Sequence, residues 1–186
     1  MQRLRTRLPG LVHLAPAVHG DARGFFVETF RADRWAAEGV PTEFVQDNHS
    51  RSRRGTVRGL HFQTHPGQGK LVRAARGRVL DVVVDLRRGS PAFGEWEAFE
   101  LDDEQGHQLY VPVGFAHGFC VLSEMADFVY KCTAYYDPAT ESGIRFDDPD
   151  VGVRWPADIE LLCSERDRRA PRLADVADTL PFHYEG

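Results

Sequence analysis

The chain has little of what staples, ligates metal or spans a membrane. Its three cysteines, Cys120, Cys132 and Cys163, are odd in number, widely spaced and form no C-x-x-C pair. That argues against a disulfide framework and a cysteine-rich zinc site, and fits buried thiols in a reducing compartment. No apolar stretch approaches the roughly 18 residues of a membrane-spanning helix, and the N-terminal MQRLRTRLPGLVHL carries arginines without an apolar signal region. A cytoplasmic protein with no membrane partner is expected. Excess positive charge is also missing: the formal net charge is -5, which argues against a general nucleic-acid surface and leaves any anionic ligand to a local cluster of arginine and lysine. Repeats, low-complexity tracts and linkers are absent on inspection, so residues 1–186 are expected to form one domain, long enough to hold a core without staples.

What is there in quantity is alternation. In RVLDVVVDLR, Leu80, Val82, Val84 and Leu86 fall on one face and Asp81 and Asp85 on the other, the pattern of a strand with one core face and one solvent face. Short strands are expected at 25–30, 57–63, 70–75, 95–101, 108–113, 118–122 and 127–136, separated by Gly, Pro, Asn and Asp turns. Helical patterns are confined to ADRWAAEG near residue 32 and to a stretch from about 164 that Pro171 interrupts. The fold class is therefore all-β. Polar residues on otherwise inward faces favour a double-sheet jelly roll enclosing a ligand.

Three stretches carry chemistry. RGLHFQ sets His61 in an apolar run, where both ring nitrogens need partners. In VPVGFAHGF, Pro112, Gly114 and His117 form P-x-G-x-x-H, which resembles the second motif of the cupin jelly rolls, where Pro and Gly turn the chain so that the His points inward. Metal-dependent cupins pair that His with H-x-H and a carboxylate. Here Gln63 stands two residues after His61, His65 precedes Pro66 in a turn, and no Glu occurs between residues 44 and 94. A divalent ion wants three or four converging N and O ligands, so no metal is expected. In FVYKCTAYY, alternation puts Phe128, Tyr130, Cys132, Ala134 and Tyr136 on the inner face. A pocket with imidazole, phenol and lysine suits proton transfer at carbon next to a carbonyl: imidazole as base, phenol as acid, a cation for the enolate oxygen.

The motifs DARGFFVETF, FVQDNHSRS, VRGLHFQ, PGQGKLV, DVVVDLRRGSPAFGEW, LYVPVGFAHGF, YKCTAYYDPATESGIRFDDPD, VRWP and SERD, in order and over nearly the whole chain, resemble the dTDP-4-dehydrorhamnose 3,5-epimerase family. The resemblance implies a homodimeric cupin jelly roll that needs no metal or cofactor and acts on a dTDP-4-keto-6-deoxy sugar in rhamnose synthesis. It implies that His61 is the general base, Tyr130 the general acid on the opposite face and Asp167 the carboxylate that orients the base. By its sequence alone, SERD also fits a capping box from Ser164 to Asp167. Lys70 and His117 would lie around the sugar ring, Lys70 holding the enolate oxygen. Arg23, Phe26, Glu28, Gln46, Asn48, Arg58, Tyr136, Glu141 and Arg166 would bind substrate, with Arg166 where the family commonly has Lys. The Arg23–Glu28 strand would cross to the partner chain.

One tension follows from alternation. It puts Arg58 and His61 on opposite faces, so either Gly59 marks a bulge or Arg58 reaches the ligand from the rim. Relatives that epimerise one carbon or shift the keto group tend to differ around HGF and YKC, both intact here. A sugar-binding cupin without catalysis remains the alternative of another class.

Overall fold

The computed structural model describes residues 1–185. Its strands are β1 (Gln2–Leu4), β2 (Val12–Ala15), β3 (Val18–Asp21), β4 (Gly24–Val27), β5 (Gln46–Arg53), β6 (Thr56–Gln63), β7 (Lys70–Arg76), β8 (Arg78–Asp85), β9 (Trp96–Asp102), β10 (Gln108–Val111), β11 (Phe115–Val121), β12 (Met125–Cys132), β13 (Glu141–Gly143) and β14 (Leu162–Cys163). Short helices α1 (Ala32–Ala37), α2 (Glu165–Arg168) and α3 (Leu173–Val176) flank them. One sheet runs β1-β2-β10-β7-β12-β5 and the other β13-β6-β11-β8-β9, with β14 added parallel to β6. Sequence neighbours repeatedly sit in opposite sheets, which is the crossing pattern of a jelly roll. Among the described residues the hairpin β3–β4 pairs only with itself.

The core lies between the sheets. Val72 and Ala74 of β7, Phe128 of β12 and Leu109 of β10 meet Val79 and Val83 of β8, Phe119 of β11 and Leu101 of β9. Each of the valine, leucine and phenylalanine side chains contributes about 1.5–3 kcal/mol on burial. A second layer covers the outer face of the β6-β11-β8 sheet: Ile144, Leu173, Leu180 and Phe182 pack on Leu60, Val82, Val84, Leu86 and Ala116. The apolar face of β8 therefore points outward, toward this C-terminal strap, and its other face points into the sandwich. This corrects the solvent face expected for Asp81 and Asp85, which are both 0% exposed. Asp85 is held there by Arg87 and by the Ser90 hydroxyl at 2.7 Å.

Several strand limits also differ from expectation: β4 ends at Val27 rather than 30, and β11 begins at Phe115 rather than 118. β12 stops at Cys132 rather than running to residue 136, because its neighbours β5 and β7 both begin at the residues paired with Cys132, namely Gln46 and Lys70. β5 escaped the pattern altogether: QDNHSRSR alternates one kind of polar residue with another, so it shows no hydrophobic period. No helix among the described residues is long and apolar enough to cross a membrane.

Candidate active site

The site begins with an irregularity in β6. Against β11, His61 pairs with His117 and Arg58 with Phe119, so Gly59 and Leu60 together oppose Gly118. Gly59 has φ +130°, and a Cβ there would stand 2.5 Å from the Gly118 Cα. Only glycine fits this bulge. The extra residue turns Arg58 and His61 to the same side, and both line a cavity of about 490 Å³ between the sheets, together with Lys70, His117, Tyr130, Arg166 and Asp167. The bulge thus resolves the alternation conflict.

His61 Nε2 lies 2.7 Å from Asp167 Oδ1, across 106 residues of sequence. Asp167 sits in α2 and is 6% exposed. Its backbone N–H donates to Ser164 Oγ at 3.1 Å, so Ser164 does cap the helix, but its carboxylate turns away from the cap to His61 and to the Gly59 N–H at 3.4 Å. One half of the capping box is present and the other half has become a His–carboxylate pair. Burial acts to raise the Asp167 carboxyl, but the bonds from His61, Gly59 and Ser164 outweigh it, and the group lies below the ordinary carboxylate range.

The facing wall comes from the other sheet. Tyr130 and Phe128 project from β12 and Lys70 from β7, its Cα paired with Cys132. Burial pushes the Tyr130 phenol up, so it holds its proton at neutral pH. Burial likewise pulls the Lys70 ammonium down, partly opposed by Cys132, Glu141 and Asp81. His117 stands beside His61 with Nε2 2.8 Å from Oδ2 of the fully buried Asp81, whose carboxyl burial pushes up against the pull of His117 and Lys70. Each imidazole thus spends Nε2 on a carboxylate. Among the described residues no group of three or more His, Cys, Asp or Glu converges as a metal cage would require.

From the cavity-lining Arg166 an arc of polar side chains, themselves outside the cavity lining, joins the two sheets, and Asn48 at its end lines a neighbouring pocket that also touches Tyr130. Arg166 and the Tyr136 hydroxyl both donate to Glu141 Oε2, the latter at 2.9 Å. The Tyr136 N–H donates to Gln46 Oε1 at 2.8 Å, and Gln46 Nε2 donates to Asn48 Oδ1 at 3.0 Å. Tyr136, expected in the interior, is half exposed in this arc, because β12 ends four residues before it. Arg23, Phe26 and Glu28 are not brought to the cavity within one chain. Arg23 is bound to Asp21, Phe26 is exposed, and Glu28 is paired with Arg34. The sequence reading missed Asp81 and Ser50. Ser50 lines the cavity with a hydroxyl that has no partner, and it shares the inward set of β5 with Gln46, Asn48 and Ser52. Alternation with the exposed Asp47, His49, Arg51 and Arg53 was the available signal.

Known proteins agree with this architecture. The family model described as dTDP-4-dehydrorhamnose 3,5-epimerase matches residues 5–175. The dTDP-4-dehydrorhamnose 3,5-epimerase of Pseudomonas aeruginosa is 49% identical over 97% of this chain and 100% of its own. The structure of a dTDP-6-deoxy-D-glucose-3,5-epimerase from Legionella pneumophila in complex with dTDP-4-keto-L-rhamnose superposes with a TM-score of 0.95 at 44% identity, covering 100% of this chain and 99% of that one. A dTDP-4-dehydrorhamnose 3-epimerase of Streptomyces niveus is 44% identical over 92% of this chain and 83% of its own. A cupin jelly roll whose two sheets close on paired imidazoles, a phenol and a lysine, matched along nearly its full length, places the chain in the dTDP-4-dehydrorhamnose 3,5-epimerase family of isomerases.

Proposed function

We propose that the protein converts dTDP-4-dehydro-6-deoxy-D-glucose to dTDP-4-dehydro-L-rhamnose by inverting carbons 3 and 5, both next to the 4-keto group. The observation that carries the reading is the placement of His61 and Tyr130 on opposite walls of one cavity. With Nε2–H donating to the ionised Asp167, the lone pair that serves as the base is on Nδ1 of His61. It takes the proton from one face of the ring. The electron pair moves onto the carbonyl oxygen, which Lys70 holds, with His117 beside it. Tyr130, protonated, returns a proton from the opposite face, and removal from one side with return from the other inverts the carbon. Neither metal nor cofactor is needed.

The substrate's diphosphate and thymine fall to Arg58, Arg166, Gln46, Asn48, Tyr136 and Glu141, since arginine forks suit phosphate and amides suit the base. Arg23, Phe26 and Glu28 complete the site from a second copy. Support comes from the hairpin β3–β4, which pairs with nothing else and exposes Phe25 and Phe26 by 62% and 66%. The protein works in the cytoplasm as a homodimer of single-domain chains, with no nucleic acid or membrane partner.

The test is solvent deuterium incorporation into the 4-keto-6-deoxy substrate, read by NMR at carbons 3 and 5, with and without chelator. Label at both carbons, unchanged by chelator, is expected, and His61→Ala should lower both exchanges at least 10³-fold. Label at one carbon only would assign the single-site chemistry named for the Streptomyces niveus relative. No label at either would refute the activity.

A further inference from the structure

Gln63 occupies the place where a metal-dependent cupin would carry its second histidine, and it is 4% exposed. Its amide does not line the cavity. Nε2 donates to the Tyr135 carbonyl at 3.0 Å, and Oε1 accepts from the Asp137 N–H at 3.3 Å. The residue between those two peptide groups is Tyr136, whose own N–H is taken by Gln46. Gln68 Nε2 donates to the Ala134 carbonyl at 2.8 Å. After Thr133, whose N–H still donates to the Gly69 carbonyl, the segment has left its strand partners, so side-chain amides of three glutamines replace the ladder, Gln46 from one sheet and Gln63 from the other. At the far end of the segment, β13 lies against β6 with Glu141 opposite Gln63.

We infer that Gln63 is a positioning residue: by fixing the 135–137 peptides it sets Tyr136 and Glu141 against the cavity-lining Arg166 and so governs affinity for the nucleotide, without acting on the proton transfers. A buried amide with both ends used has one geometry, and removing it strands a carbonyl and an N–H that nothing else in the loop satisfies. The effect reaches the ligand through Tyr136 and its bond to Glu141, whereas His61 is held separately, by Asp167 and the Gly59 bulge. The inference rests on the proposed role of Tyr136 and Glu141 in substrate binding.

The experiment compares Gln63→Leu, Gln63→Glu, Tyr136→Phe and the Gln63→Leu/Tyr136→Phe double variant in the full chain, with dTDP affinity by calorimetry and steady-state kinetics on the 4-keto sugar. Gln63→Leu should weaken dTDP binding and raise KM about tenfold with kcat within about threefold, and the double variant should bind no more weakly than the weaker of the two single variants. Gln63→Glu guards against a leucine variant that does not fold. Its carboxylate faces the Tyr135 carbonyl and weakens binding at pH 8, and affinity relative to wild type should recover toward pH 5 as the protonated acid regains a donor. A drop in kcat at unchanged KM, or full additivity in the double variant, would overturn the inference. If Tyr136→Phe weakens dTDP binding while both Gln63 variants bind normally, the clamp is wrong and the site reading stands. If Tyr136→Phe binds dTDP as wild type does, the binding role of Tyr136 fails and the inference falls with it.

Discussion

The cavity holds two imidazole–carboxylate pairs of nearly the same length, His61–Asp167 at 2.7 Å and His117–Asp81 at 2.8 Å, and their acids are shifted in opposite directions. Asp167 sits at the first turn of a short helix with the Gly59 N–H on its second oxygen, so burial is outweighed by donors. Asp81 is fully buried on β8, and its Oδ1 has no hydrogen-bond partner among the described residues. The number of donors around the carboxylate, and not the distance to the histidine, separates the two pairs, and the better-donated one is the pair proposed to steady the base.

Breaking the first pair should have the largest effect. Asp167→Asn keeps the shape and can still bond His61, but a neutral amide neither stabilises an imidazolium nor enforces one tautomer. A fall of about 10²-fold in kcat is expected, with dTDP affinity nearly unchanged, checked by steady-state kinetics beside calorimetry. A variant with wild-type kcat would remove Asp167 from the mechanism. The matching change in the second pair, Asp81→Asn, should lower kcat less than about tenfold, because the acid it replaces is already pushed toward its neutral form. If the two variants lose equally, the contrast between the pairs collapses and His117 rises to the same rank as His61.

Much of this was legible in the sequence, and the gaps have physical causes. His61 stood out because a titratable side chain in an apolar run must be partnered, and Gly59 because two site residues three apart cannot share a face of a regular strand. Asp167 was visible only by family resemblance: its partner lies 106 residues away, and local pattern favoured a helix cap, which it also serves in part. Alternation correctly divided β8 into two faces but could not say what covers them, and the C-terminal strap reversed the assignment of Asp81. Tyr136 was misplaced for a related reason. A strand ends where its neighbours end, and that information resides in β5 and β7 rather than in the FVYKCTAYY stretch itself.

The smallest expected effect sharpens the comparison through its sign. A carboxyl lowered by folding, as at Asp167, stabilises the protein above the ordinary carboxylate range near pH 4 and loses that contribution as pH falls through its folded value. A carboxyl raised by folding, as at Asp81, does the reverse: its contribution is complete below the ordinary range and is lost as pH rises through the folded value. Replacing each by Asn removes one of these dependences. Thermal melts from pH 3 to pH 7 should therefore show the Tm of Asp167→Asn falling further behind wild type as pH rises through the acid end. The Tm of Asp81→Asn should instead gain on wild type as pH rises, both by a few degrees. Slopes of the same sign would mean that one of the two carboxyls is held by neighbours other than those described.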